Sequence, residues 1–186
     1  STVTISVISQ NTTARMSAGQ KTSLRSVRKG LRKIVFTSSV AVYGFAEPGT
    51  DETGAISPFN EYGKTKYQAE EKLRAWQSSG DNDLIIVRPT VIFGEGNRGN
   101  VYNLLKQIAS GTFVMVGAGK NRKSMAYIEN IVAFLEKCIE IDRKYAVFNY
   151  VDTPDLDMNT LVRQVRKVLK GTDSVGIRLP HWIGIV

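Results

Sequence analysis

Two short apolar runs, Ile34-Val35-Phe36 and Leu84-Ile85-Ile86-Val87, constrain this chain more than any other feature. No polar residue alternates through either, which fits strands buried on both faces. We read strands over Lys33–Ser38 and Leu84–Arg88, the second closed by Pro89, and another over Ala146–Val151. Helical stretches separate them. One runs from Pro58 to about Gln77, with Ser57 as a cap before the proline. Others cover Tyr102–Ala109, Ile128–Ile141 and Met158–Leu169, the last with Leu161, Val165, Val168 and Leu169 on one face. Phe113–Val116 reads as a short strand. Gly44–Asn60 and Gly94–Asn100 read as loops. Strands alternating with helices predict a parallel, doubly wound α/β sheet.

The opening residues are less regular. Ser1–Ser9 carries a weak strand signal, Gln10–Gln20 reads as loop, and Lys21–Leu31 as a short basic helix. The chain carries a formal charge of +8, but the excess is local. The first 46 residues hold seven Lys/Arg and no acid, against 18 Lys/Arg and 17 Asp/Glu in the remaining 140. The basic segment has no interleaved aromatics and no reader motif, so nucleic acid is not an expected partner. No stretch is long and apolar enough to span a membrane, and no secretory signal is visible. The single Cys138 excludes an internal disulfide and suits the cytosol, so a cytoplasmic location is expected. Cys138 falls on an apolar helix face and is expected in the core. One Cys and one His argue against a zinc site, and no metal is expected.

Chemistry concentrates at Tyr62 and Lys66, four residues apart and so on one helix face. A free phenol titrates near pH ~10, too high for a base at neutral pH. A neighbouring ammonium favours the phenolate and lowers that value. Tyr62 would then take a proton from a sugar hydroxyl. Ser39 would hydrogen-bond the same hydroxyl and hold it in line. The spacing alone is weak, because Tyr102 and Lys106 repeat it; that second copy reads as a plain helix pair. Only Tyr62 follows, at 23 residues, a serine-rich strand end. In an open α/β sheet such ends are where ligands bind.

The run Ile34-Val35-Phe36-Thr37-Ser38-Ser39, then Val42-Tyr43-Gly44, Tyr62-Gly63-Lys64-Thr65-Lys66 and Val87-Arg88-Pro89, resembles the extended short-chain dehydrogenase/reductases. Among these it is most similar to the NAD-dependent nucleotide-sugar epimerases and dehydratases, over about residues 31–183. The resemblance implies a partial Rossmann-like doubly wound sheet with a small sugar-nucleotide-binding lobe. Residues 31–93 and a strand near 146–151 would form the sheet. Most of 94–186 would form the lobe, and 1–30 would stand apart as an atypical basic segment. It implies NAD or NADP as cofactor, held by Thr37, Ser38, Tyr62, Lys66 and Pro89. A nucleotide diphosphate sugar is the implied partner, with a homodimer as an option. Catalysis would fall to Ser39, Tyr62 and Lys66.

The residues also narrow the reaction. Family members that eliminate water carry Asp and Glu directly after the serine position. Here Val40 and Ala41 stand there, and neither can move a proton, so redox-only 4-epimerisation or 4-keto reduction is expected. Pro89 either touches the nicotinamide carboxamide or simply ends a strand. Val91 replaces an Asn that contacts substrate phosphate in the epimerases. Asn100 matches a nucleotide contact, or serves as a helix N-cap. Lys123 matches a diphosphate-clamping Arg, with Arg122 beside it; the alternative is a solvated turn. Tyr43 reads as packing. The family's Gly-x-x-Gly-x-x-Gly turn, which holds the cofactor pyrophosphate, occurs nowhere in the 186 residues. A truncated, non-catalytic sugar-nucleotide-binding or interaction fragment is therefore the second expectation. A steroid or phenylpropanoid alcohol substrate is a third, weakened by the paired cations.

Overall fold

The structure is a computed structural model that describes residues 2–6 and 31–184. In chain order its strands are β1 (Thr2–Ser6), β2 (Leu31–Thr37), β3 (Asp83–Pro89), β4 (Val91–Phe93), β5 (Met115–Val116), β6 (Met125–Tyr127), β7 (Tyr145–Tyr150) and β8 (Arg178–Leu179). The α-helices are α1 (Glu61–Ser78), α2 (Asn100–Ser110), α3 (Ile128–Glu140) and α4 (Met158–Lys170). Two compact units result: residues 1–90 with 129–150, and residues 91–128 with 151–186.

The first unit is built on a four-stranded sheet in the order β1-β2-β3-β7, parallel throughout. The two apolar runs are its centre. Val35, Leu84, Ile85, Ile86 and Val87 are fully buried. Each such side chain contributes about 1.5–3 kcal/mol on burial. Ile34, Phe36, Leu84 and Ile86 pack with Leu73 of α1 into one cluster. On β7, Phe148 meets Phe134 of α3 edge-on at 5.7 Å. Cys138 of α3 is wholly buried.

The opening strand signal is met by β1, which pairs with β2 from Thr2↔Leu31 to Ser6↔Phe36. This ties the start of the chain to the sheet, where the sequence reading set residues 1–30 apart. The expected loop at Gln10–Gln20 and basic helix at Lys21–Leu31 lie outside the described residues, except Leu31, which opens β2. Helix α3 likewise belongs to the first unit from Glu129 onward, whereas the sequence reading placed most of 94–145 in the smaller lobe.

In the second unit, Ile108 of α2 and Met158, Leu161 and Val162 of α4 close over Phe113, Met115 and Val175. The α4 face differs from expectation at its end. Val165 is partly buried, but Val168 and Leu169 are 84% and 57% exposed. The last turn of α4 extends past the cluster. Two parallel pairs, β4 with β6 and β5 with β8, were not foreseen beyond the region of β5. Their two- and three-residue lengths leave too little pattern to detect.

Helix α1 starts three residues later than the sequence suggests. Its N-cap is Asn60, whose side chain accepts the Gly63 N–H at 2.8 Å. Ser57 instead donates its N–H to the Val42 carbonyl at 3.1 Å.

Candidate active site

The C-terminal end of β2 delivers Thr37, Ser38 and Ser39, all buried. Ser39 caps a 3-10 turn over Val40–Tyr43, its hydroxyl accepting the Ala41 N–H at 3.2 Å. Helix α1 lies close against this turn. A Cβ added at Gly63 would stand 2.5 Å from the Ala41 carbonyl oxygen, so glycine there permits the approach. That approach sets Tyr62, in the first turn of α1, near Ser39, which offsets part of the rise that burial imposes on the phenol pKa.

The buried face of α1 consists of Gly63, Lys66, Glu70 and Leu73. Lys66 is 4% exposed and donates to the Thr37 carbonyl at 2.8 Å. Its ammonium stands 5.8 Å from the centre of the Tyr62 ring and 5.3 Å from that of Phe36. Burial depresses the Lys66 pKa to about 8, opposed by the charge of Glu70. Lys66 thus remains mostly cationic at neutral pH.

Two expectations change here. Tyr62 is not shifted down in this structure: burial pushes its pKa up, and the Ser39 contact offsets part of that. The Lys66 ammonium is turned to the Thr37 carbonyl. Ser38, expected to hold cofactor, has its hydroxyl committed elsewhere: it donates to Glu70 at 2.5 Å. Thr37 offers its hydroxyl instead, because Oγ1 is buried without a hydrogen-bond partner. Such an orphan is costly unless a ligand satisfies it. With the spare donors of Lys66, it fits the polar edge of a cofactor at a strand end. Pro89 is the buried last residue of β3 and ends that strand.

The remaining candidates lie in the second unit. Asn100 is exposed and is the first residue of α2 rather than its cap, which is Gly99. Asn97 supplies the local side-chain contact, accepting the Gly99 N–H at 3.0 Å. Arg122 forms an isolated bridge with Asp157, the cap of α4. Thr160 hydrogen bonds hold the Asp157 carboxyl below its ordinary range, and the Arg122 charge adds to this. Lys123 is half-buried, with its N–H on the Leu156 carbonyl at 3.3 Å. Tyr102 and Lys106 are both exposed on α2.

Sequence reasoning missed Glu70. Its carboxylate is fully buried and receives Arg88 twice, from Nε at 3.0 Å and Nη2 at 2.6 Å. Arg88 Nη1 donates to the Tyr43 hydroxyl at 2.6 Å, and Tyr43 donates to Asn149 at 2.9 Å. Burial opposes the Arg88 charge, but the Glu70 contacts outweigh it and raise the pKa. The available signal was Arg88 itself, a charge ending a wholly apolar strand, which implies a buried partner.

Among the described residues no helix is long and apolar enough to cross a membrane, and no cluster of three or more His, Cys, Asp or Glu could hold a metal.

Comparison with known proteins bears on the family and the fold. An undecaprenol-linked N-acetyl-α-D-glucosaminyl-diphosphate 4-epimerase of Escherichia coli O157:H7 is 53% identical over 162 residues, covering 86% of this chain and 49% of that protein. A UDP-glucose 4-epimerase of Vibrio cholerae is 26% identical over 164 residues, covering 85% and 47%. The chain spans about half the length of the curated relatives it matches. The crystal structure of a Bacillus cereus UDP-glucuronic acid 4-epimerase in complex with NAD superposes with a TM-score of 0.68 at 18% identity, covering 80% of this chain and 50% of the other; it shows the shared fold. A family profile matches residues 6–149, so the match begins far earlier than the expected residue 31 and includes most of the opening segment. The chain belongs to the NAD dependent epimerase/dehydratase family.

Proposed function

We propose that this chain carries the acid–base group of an NAD-dependent 4-epimerase or 4-ketoreductase acting on a sugar diphosphate ester, a nucleotide diphosphate sugar in the first instance. The observation that carries the reading is that the turn capped by the buried Ser39 lies close against the first turn of α1, which bears Tyr62, while Lys66 is held 5.8 Å from the centre of the Tyr62 ring. Ser39 orients the C4 hydroxyl, and Tyr62 removes its proton. Lys66 keeps a positive charge next to the phenol, which lowers the cost of the phenolate. Bound NAD supplies the acceptor for the hydride that leaves C4 and its donor on return. Tyr62 gives the proton back to the 4-keto oxygen. Return to the opposite face would invert C4; with the cofactor bound in its reduced form, a supplied 4-ketone would instead be reduced to the alcohol. Thr37, Tyr62, Lys66 and Pro89 would hold the cofactor. Arg122, Lys123 and Asn100 would meet the diphosphate ester in the lobe formed by the second unit.

The substrate class draws on the two relatives, one named for a lipid diphosphate sugar and one for UDP-glucose. Their shared chemistry is a diphosphate on the anomeric carbon. In the full-length protein, Tyr62→Phe should abolish turnover of UDP-sugars while leaving their binding intact. Retained turnover would refute the assignment.

A second reading rests on the absence of a Gly-x-x-Gly-x-x-Gly turn from these 186 residues. Without its amides and helix N-terminus the pyrophosphate has no cradle. The isolated chain should then bind sugar nucleotide weakly and NAD poorly. Calorimetric titration decides this: micromolar NAD affinity would overturn it.

A further inference from the structure

The residues flanking Ser39 are tied to one buried ion pair. On its N-terminal side, Ser38 donates its hydroxyl to Glu70 at 2.5 Å and its N–H to the Val87 carbonyl at 2.7 Å. On its C-terminal side, the 3-10 turn that Ser39 caps ends at Tyr43, whose hydroxyl accepts Arg88 Nη1 at 2.6 Å. Glu70 and Arg88 then close on each other through two hydrogen bonds. Arg74 adds a third cationic donor to Glu70 at 3.0 Å, and Asn149 accepts the Tyr43 hydroxyl. Glu70 also lies one helical turn beyond Lys66 and two beyond Tyr62 on α1. One carboxylate is therefore bonded to the helix bearing Tyr62, to the strand end bearing Ser39, and to β3.

A core ion pair is an expensive way to join a helix to a sheet. Apolar residues of similar volume often serve stability as well or better. The position of this pair suggests what it adds: a directional link between the strand end that bears Ser39 and the helix that bears Tyr62.

We propose that Glu70, with Arg88, is a positioning residue: it holds the turn that bears Ser39 in register with the helix that bears Tyr62. This rests on the acid–base reading of Ser39, Tyr62 and Lys66. The Glu70 carboxylate is bonded to Arg88 on β3 and to Arg74 on α1.

Two variants of the full-length protein test this. Ser38→Ala with Tyr43→Phe cuts both tethers and leaves Glu70 paired with Arg88. It should fold, bind UDP-sugar with KM within about threefold of wild type, and lose kcat by roughly 10- to 100-fold, the cost of a misplaced catalytic group. Amide exchange at Ala41, whose N–H reports the Ser39 turn, should accelerate. Glu70→Gln weakens the same carboxylate link and should accelerate Ala41 exchange likewise. Should Glu70→Gln not fold, the double variant decides alone. A double variant with kcat within twofold of wild type and unchanged Ala41 exchange would overturn the proposal. If wild type itself turns over neither a UDP-sugar nor a polyprenyl-diphosphate sugar, the acid–base reading is what fails. Ala41 exchange still judges the positioning role.

Discussion

Lys66 reaches from the middle of α1 to the carbonyl of Thr37, the last residue of β2, at 2.8 Å. The contact buries an ammonium beside the phenol of Tyr62 and fixes the helix against the strand end. It has a consequence for stability. Burial holds Lys66 at about 8 instead of its ordinary 10.5, despite the opposing pull of Glu70. Below about pH 8 both folded and unfolded states are protonated, and the cost of burying the charge is fully present. Between about 8 and 10.5 the unfolded chain binds the proton that the folded chain has lost, so stability rises with pH. Lys66→Met removes this term. The unfolding free energy of wild type minus that of Lys66→Met should be flat near neutrality and climb from about pH 8 toward 10. Urea melts at stepped pH would show it, and a flat difference throughout would contradict it.

Gly63 is a point of close approach between α1 and the Ser39 turn. Gly63→Ala improves helix propensity by about 1 kcal/mol. It also places a methyl 2.5 Å from the Ala41 carbonyl oxygen and 3.0 Å from Pro58 Cβ. Overpacking of this kind costs about 1–3 kcal/mol. We expect net destabilisation and a loss of turnover larger than the loss of stability, because α1 carries Tyr62 away from Ser39. Thermal melts and steady-state kinetics measure the two effects separately.

Asn60 caps the helix two residues before Tyr62. Asn60→Ala should destabilise by about 1 kcal/mol, the usual cost of losing a side-chain cap, whereas Asn60→Asp should be close to neutral. Equal melting temperatures for Asn60→Ala and wild type would show that the Gly63 N–H finds another acceptor.

Cys138 is shielded from chemistry. Burial pushes its thiol up to about 11, with the Lys33 charge pulling slightly the other way. In the native chain a thiol reagent at neutral pH should label Cys138 at the rate of unfolding. In denaturant labelling should be immediate. Fast labelling of the native protein would mean that α3 opens locally.

The amino-acid sequence by itself determined the sheet and the alphabet of the site. Ile34–Phe36 and Leu84–Val87 are too apolar to be anything but central strands, and they are the buried middle of the sheet. Helix α1 was legible as an element, and Tyr62 and Lys66 as a pair on it, because period and residue type are local properties. Tertiary structure decided which groups are free to act. Thr37 and Ser38 look equivalent in sequence, yet one hydroxyl is left without a partner and the other is taken by Glu70. Glu70 looks like one more charge on a polar helix, yet it is buried, as is Lys66. Their partners lie far off in sequence: Lys66 is 29 residues from Thr37, and Glu70 is 18 from Arg88 and 32 from Ser38. A buried charge is tolerated when the chain brings a partner to it. That pairing is set by the register of strands and helix, which no local pattern encodes.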